Sequence, residues 1–272
     1  MKTIIKIFVL VFILSSCDND ELIEKSFTIT WEFTSISDFT SNRFEDKYIE
    51  FFNEDNLIIR KEEFYYSSGE IRNDYYKYDN SKNLIEYSSD GQGLHAVYYY
   101  ENGLRIKNEV FDISKKFFQY YKLFEYSNSI LNKTYYYNRD SILVSTSQNF
   151  YTSILLDSTY HYFGNKLDSI EGKVIYHYDT SRNLIEENGW KWSLENQSFY
   201  PISKSFYEYE NGNLTRTETR KEGNELFGFI YEYSYDDKGR KNKIEIYYED
   251  QLLGYYDATY SSNNNEFIIP KL

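Results

Sequence analysis

The chain is predicted to be all-β: an antiparallel array of stacked hairpins forming an open, curved and twisted sheet. Three observations predict this. First, a segment repeats. Tyr176–Glu186 reads Tyr-His-Tyr-Asp-Thr-Ser-Arg-Asn-Leu-Ile-Glu and Tyr76–Glu86 reads Tyr-Lys-Tyr-Asp-Asn-Ser-Lys-Asn-Leu-Ile-Glu, and from Tyr78 and Tyr178 onward seven of nine residues are identical. Self-similarity of this kind marks a repeat architecture. Second, Phe27, Ile29, Trp31 and Phe33 alternate with Thr28, Thr30, Glu32 and Thr34, the period-two pattern of a strand with one apolar face. Third, turn pairs recur at Ser68-Gly69, Asp90-Gly91, Asn102-Gly103, Gly164-Asn165, Asn188-Gly189, Asn211-Gly212, Glu222-Gly223 and Lys238-Gly239. They space the strands by roughly ten residues, as hairpins do. No window carries a sustained helical period with caps, and only Pro201 and Pro270 interrupt the strand runs.

The first segment is a leader. Lys2 and Lys6 precede the apolar run Ile7–Leu14, and Leu14-Ser15-Ser16-Cys17 follows; the run is too short for a retained membrane helix. Those four residues resemble the lipobox of bacterial lipoproteins. The resemblance implies cleavage before Cys17, which then carries the lipid and attaches the protein to the membrane. Each buried acyl methylene adds about 0.8 kcal/mol to such an anchor. The organisation is then a signal peptide over 1–16, a lipidated N-terminus and acidic tether over 17–26, and a repeat domain over 27–272. The expected location is the bacterial cell envelope, at the outer membrane, on either its periplasmic or its surface side. Cys17 is the single cysteine, so its acylation removes disulfides, thiol catalysis and cysteine metal sites from consideration.

The chain of 272 residues has 43 acidic against 30 basic residues and a net charge of −13. Such a balance argues against nucleic acid as a partner, because affinity there comes largely from cationic contacts to phosphate. Aromatic residues make up 20% and tyrosine alone occurs 32 times, which separates this polar chain from disordered ones.

One pattern recurs from Tyr48 to the end: aromatic-x-aromatic, an acidic or small polar residue, turn residues, then Leu or Ile. It appears at Tyr76–Leu84, Tyr98–Leu104, Phe124–Leu131, Tyr160–Leu167, Tyr176–Leu184, Tyr207–Leu214 and Tyr233–Ile244, with weaker copies at Tyr48–Leu57 and Tyr256–Phe267. Alternation puts Tyr76 with Tyr78, and Tyr176 with Tyr178, on one face. Asp79, Asp179 and Asp236 stand at strand ends, where a carboxylate accepts backbone N–H groups two residues on and starts a turn. Leu84 and Leu184 open the return strands. These residues are expected to build the repeat.

The copies Tyr233-Ser-Tyr-Asp-Asp-Lys-Gly-Arg-Lys, Tyr176-His-Tyr-Asp-Thr-Ser-Arg-Asn-Leu and Tyr207-Glu-Tyr-Glu-Asn-Gly-Asn-Leu resemble the YD repeat of Rhs and teneurin-type proteins. They depart from it where Lys82-Asn83 and Arg182-Asn183 replace the usual glycine, and where Gly103 and Gly212 come one residue early. In that family hairpins spiral into a sheet that can close into a shell around a toxin. Here about eight repeats, no following cargo domain and no Asp-Pro cleavage motif lead to the expectation of no closed shell, with Phe27–Phe33 as a second layer. The tyrosines are expected to bury their rings on a thin sheet and keep their hydroxyls in water.

No catalytic residue, metal site or cofactor is assigned. His161 and His177 both occupy the middle of Tyr-x-Tyr, a slot that elsewhere holds Lys77, Glu125, Glu208 and Ser234 and is expected to face away from the tyrosines. Asp79–Asp90 lacks the glycine of a calcium loop. The acids single out no hydrolytic pair, and no Gly-x-Ser-x-Gly, His-Glu-x-x-His or phosphate loop occurs. Trp190 and Trp192 share a strand face near Phe199 and Tyr200. They form either a binding patch for a sugar or partner, or a hydrophobic cluster closing an irregular hairpin. The expected function is a lipid-anchored, non-enzymatic scaffold presenting a tyrosine-rich surface to protein or glycan. The alternatives are an envelope carbohydrate-active enzyme using a carboxylate pair, and an accessory or immunity lipoprotein of a toxin system.

Overall fold

The computed structural model describes residues 27–35, 46–66, 68–164, 169–221 and 228–261. Cys17, with the leader and tether, lies outside the described residues, as do the Glu222-Gly223 turn and Pro270. Eighteen strands follow one another: β1 (Phe27–Ser35), β2 (Lys47–Phe52), β3 (Ile58–Tyr65), β4 (Glu70–Tyr78), β5 (Leu84–Ser89), β6 (Leu94–Glu101), β7 (Leu104–Asp112), β8 (Phe118–Ser127) and β9 (Ile130–Asn138). The second half comprises β10 (Leu143–Thr152), β11 (Leu155–Phe163), β12 (Ile170–Tyr178), β13 (Leu184–Ser193), β14 (Ser198–Glu210), β15 (Asn213–Lys221), β16 (Ile230–Tyr235), β17 (Lys241–Tyr248) and β18 (Gln251–Tyr260).

All-β is right, but the expected open sheet is not what forms. Every strand pairs antiparallel with the next, and β1 pairs with both β2 and β18, so the meander closes into an 18-stranded barrel. The expectation failed on one element. Phe27–Phe33 was assigned to a second layer, whereas β1 is the strand that joins the ends of the ring, with Trp31 opposite Tyr48 on one side and Ala258 on the other. Closure satisfies the backbone groups of two edges that an open sheet would leave bare. Nine hairpins complete a ring instead of a fraction of a spiral.

The apolar face of β1 points inward. Phe27, Ile29 and Trp31 are buried together with Ile246 and Tyr256, and Phe33, Tyr48, Phe52, Tyr231 and Ile244 pack on them. Phe27 stacks on Phe52 with ring centroids 4.6 Å apart, and Trp31 stacks on Tyr48 at 5.8 Å. The outward face carries ion pairs. Lys107–Glu109 at 2.6 Å, Lys204–Glu186 at 3.3 Å, Arg216–Glu232 at 2.6 Å and Lys243–Glu245 at 2.8 Å lie along it. Exposed apolar side chains, among them Tyr75, Tyr99, Phe150 and Ile202, lie on the same face.

Each even-numbered strand ends at one rim, and there the repeat acquires a mechanism. The second tyrosine of Tyr-x-Tyr faces the first residues of the next strand across a β-bulge: Tyr78 opposite Leu84, Tyr178 opposite Leu184, Tyr209 opposite Leu214. Its counterpart in the following hairpin reaches back to that strand start. Tyr100 donates its hydroxyl to the Leu84 carbonyl, Tyr126 to Arg105, Tyr151 to Leu131, Tyr178 to Leu156 and Tyr235 to Leu214, at 2.7–3.0 Å. Tyr260 does the same to Lys241. The expectation that the hydroxyls stay in water is corrected for these six. The bulge turns a carbonyl out of the ladder, and the phenol satisfies it. Tyr178→Phe should therefore cost about 1 kcal/mol, the worth of one such bond, measured by urea unfolding.

One copy departs from the expected register. Tyr160–Leu167 is not a repeat turn: Tyr160 and Tyr162 lie on β11, which runs toward the opposite rim, so its register is inverted. The repeat turn of this hairpin instead follows Tyr151, which pairs with Leu156. Of the Tyr256–Phe267 copy only residues 256–261 lie among the described residues, with Tyr256 and Tyr260 on β18, which pairs with β1.

Candidate functional site

The aspartate turns form where their positions suggest, whereas the expected Asn188-Gly189 turn lies inside β13, where both residues are paired on either side. Asp179 accepts the Asn183 N–H at 2.8 Å and its side-chain amide at 2.8 Å; Asp79 repeats this with Asn83 at 2.9 and 3.0 Å. These bonds, first the one from the asparagine side chain, hold both carboxyls below the usual range. Lys82 and Arg182 take left-handed φ of 65° and 68° where the third copy has Gly239 at 73°, so the departure from the glycine pattern leaves the turn geometry intact. Asp236 accepts the Lys238 and Arg240 N–H groups at 3.0 and 2.8 Å and the Arg240 guanidinium at 2.7 Å. Burial pulls the Asp236 carboxyl up, and the Arg240 and Lys238 bonds bring it net down. A carboxyl lowered on folding stabilises fully at neutral pH and loses that contribution as the pH falls through its folded pKa, below the unfolded value of about 3.9. Asp236→Ala should thus cost about 1 kcal/mol at pH 7, and its deficit should vanish on acidification. Asp179→Ala should lower the melting temperature and His177→Ala, at an exposed outward position, should leave it unchanged.

Tyr76, Tyr78, Tyr176 and Tyr178 all face inward. Tyr76 packs against Tyr87 with centroids 5.1 Å apart, and burial pushes the hydroxyls of Tyr76 and Tyr176 up. Trp190 and Trp192 do share a face, the outward one. Trp192 meets Phe199 edge-on at 4.9 Å, while the Lys173 ammonium sits among Phe199 at 4.4 Å, Trp190 at 5.6 Å and Tyr160 at 5.8 Å. The rings cluster on the β13–β14 hairpin, and the chain's own lysine lies against them. His161 and His177 are not brought together. His161 points inward, its Nδ1 2.9 Å from Ser147 Oγ, and burial lowers its pKa.

The inner wall holds the site. Between β16 and β3 a cavity of about 350 Å³ is lined by Tyr48, Lys61, Tyr231, Tyr233, Lys241, Ile244, Ile246 and Tyr256. The Lys241 ammonium lies 4.3 Å from the Tyr233 ring centre and the Lys61 ammonium 4.6 Å from that of Tyr48. Lys61 also bonds Glu63 at 2.6 Å. On the same inner face Glu50 accepts the Trp31 Nε1–H at 3.0 Å. Burial pushes the Glu50 carboxyl up against the Trp31 bond and the two lysines, and burial pushes Lys241 down against Glu50. Two further inner-wall cavities, of about 400 and 450 Å³, carry Tyr120, Lys122 and Ser147 in one and His161, Glu171 and Lys191 in the other. Among the described residues no group of three His, Cys, Asp or Glu side chains could hold a metal ion.

Sequence reasoning missed Glu50, Lys61 and Lys241. Two signals were present. Glu50 interrupts the apolar register Tyr48-x-Glu50-x-Phe52, and Lys241 opens a return strand in the slot that Leu84 and Leu184 occupy.

No protein-family model and no curated protein matches the chain. Among solved structures it is similar to a porin-like protein from Bacteroides uniformis, at 9% identity over 87% of this chain and 96% of that one, with a TM-score of 0.42. It is also similar to a porin-like protein from Bacteroides vulgatus, at 14% identity over 71% and 94% of the two chains, TM-score 0.38. A TcdB2–TccC3–Cdc42 complex matches at 9% identity and TM-score 0.29, with 74% of this chain spanning 14% of that one.

Proposed function

We propose that the protein is a lipid-anchored member of a bacterial cell envelope that binds a ligand on the tyrosine-lined inner wall of its barrel and performs no catalysis there. The observation that carries this is the cavity between β16 and β3, where four tyrosines and two lysines converge on one open space. Open, aromatic-lined cavities with few polar groups are the usual form of ligand sites. The leader and Cys17 support the anchoring. The YD-like reading of the hairpins is supported by the shared Asp turn, the bulge opposite leucine and the tyrosine link to the neighbouring hairpin. The carboxylate-pair reading has no comparable support, since the deeply placed acid, Glu50, has Lys61 and Lys241 as its charged neighbours.

The protein, screened against a glycan array and against envelope extract, should retain a ligand, and Tyr233→Ala should reduce that retention. Retention of nothing from either source would overturn the binding reading. Mass spectrometry of the envelope-extracted protein should find acyl mass on Cys17.

A further inference from the structure

We infer that the β7–β8 loop is an acid-released strap: at neutral pH it is pinned across the outer face beside His95, and protonation of that imidazole unpins it. The loop follows Asp112 and leads into Phe118. It is built as one firm turn. Asp112 accepts the Lys116 and Phe117 N–H groups at 3.0 Å each and the Ser114 hydroxyl at 2.6 Å. Two contacts tie this turn to earlier strands. Ile113 donates its N–H to the carbonyl of Gly93, in the β5–β6 turn, at 2.9 Å, and the Lys115 ammonium reaches Glu86 on β5 at 2.8 Å. His95 lies between those strands, on β6.

His95 is 3% exposed, and its surroundings suit only the neutral ring. Its Nδ1 is buried with no hydrogen-bond partner among the described residues, and its Nε2 lies 3.5 Å from the same Glu86 oxygen that Lys115 bonds. A protonated imidazole donates from both nitrogens. One N–H would then find no acceptor, and the other would have to take Glu86 from Lys115. A buried charged donor without an acceptor is costly, and lifting the loop relieves that cost by admitting water. The charges nearby offer no second acceptor. On β4, Lys77 lies 3.8 Å from the other Glu86 oxygen, and on β7, Glu109 is bound by Lys107 at 2.6 Å and by Tyr99 at 2.7 Å. Phe111, opposite His95 on β7, is apolar.

Burial, and then the Lys115 charge, lowers the His95 pKa against the pull of Glu86. A base whose pKa falls on closing favours the closed form fully above its ordinary 6.5 and loses that advantage as the pH drops below it. Glu86 and Asp112 titrate elsewhere. The Lys115 bond holds the first below its ordinary 4.5, and the Ser114 bond holds the second below 3.8.

The test is amide hydrogen exchange of the protein at pH 7.5 and 5.5, each rate divided by the intrinsic rate at that pH. Protection of the Ile113 N–H should fall at pH 5.5 by up to about tenfold, the most that one proton supplies one unit below an ordinary imidazole pKa. The Asn138 N–H, held by the Ile142 carbonyl at 3.1 Å in the next loop of that rim, should keep its protection. His95→Gln should hold the neutral-pH protection of Ile113 at both values, and Lys115→Met should lower it at both. If His95→Gln does not fold, the His95 ring is titrated by NMR in the wild type, and its midpoint must match that of the Ile113 loss. Unchanged Ile113 protection in the wild type, a pH step that survives in His95→Gln, wild-type protection in Lys115→Met, mismatched midpoints, or an equal loss at Asn138 would each overturn the inference.

Discussion

Trp31→Ala should destabilise the barrel by about 3–5 kcal/mol, the usual cost of truncating a buried tryptophan. Trp31 is 4% exposed and sits midway along the joining strand. The substitution removes its stack on Tyr48, empties the centre of the cluster formed with Ile29, Ile246 and Tyr256, and leaves Glu50 without its Nε1–H donor. A loss of this size is a large part of the 5–15 kcal/mol that holds a typical domain folded. Because β1 seals β2 and β18, the variant should also self-associate through those exposed edges. Guanidinium unfolding reads the first effect and light scattering the second. A Trp31→Ala protein that remains monomeric and unfolds with the wild-type midpoint would show that β1 does not hold the ring shut.

Gly254→Ala comes next, at about 1–3 kcal/mol from overpacking. Gly254 lies opposite Ser35 on the β18 side of the same joint, and a methyl group there would meet the Phe33 ring and the Thr34 carbonyl oxygen, the latter at 2.6 Å. Phe33→Leu would clear the ring but not the carbonyl, which is backbone of β1. The double variant should therefore recover only part of the lost melting temperature. Full recovery would mean that the backbone contact carries no weight.

Those two positions also show where the sequence was legible. The inward residues of the repeats could be read from alternation alone: Tyr76, Tyr78, Leu84 and their sisters Tyr176, Tyr178 and Leu184 share one face because the period of a strand is two. Asp79, Asp179 and Asp236 announced their turns because an Asx turn is a local bond between near neighbours. What could not be read was anything that depends on a partner far along the chain. Phe27, Ile29 and Trp31 show a strand with an apolar face, but nothing local says that Tyr260 and Phe52 flank it. The bulges were equally hidden. A single extra residue inverts every later side chain, which is why Lys241 came out on the inner wall. His161 was misplaced for a different reason: its Tyr-x-Tyr belongs to a strand running the other way.

The order in which the chain is made gives the joining strand a further significance. Among the described strands β1 is synthesised first, yet one of its two partners, β18, is the last to appear. Pairings between residues so distant in sequence form slowly, since loop-closure entropy must be overcome before the contact is rewarded. Until β18 arrives, β1 and β2 form a bare hairpin edge that grows a sheet in one direction only, and every intermediate exposes two unpaired margins. The ring has no partially finished form that is edge-free. Its hairpin number is set all at once: a tenth or an eighth hairpin would change the circumference and the stagger together, so this array cannot lengthen one repeat at a time as a linear solenoid can.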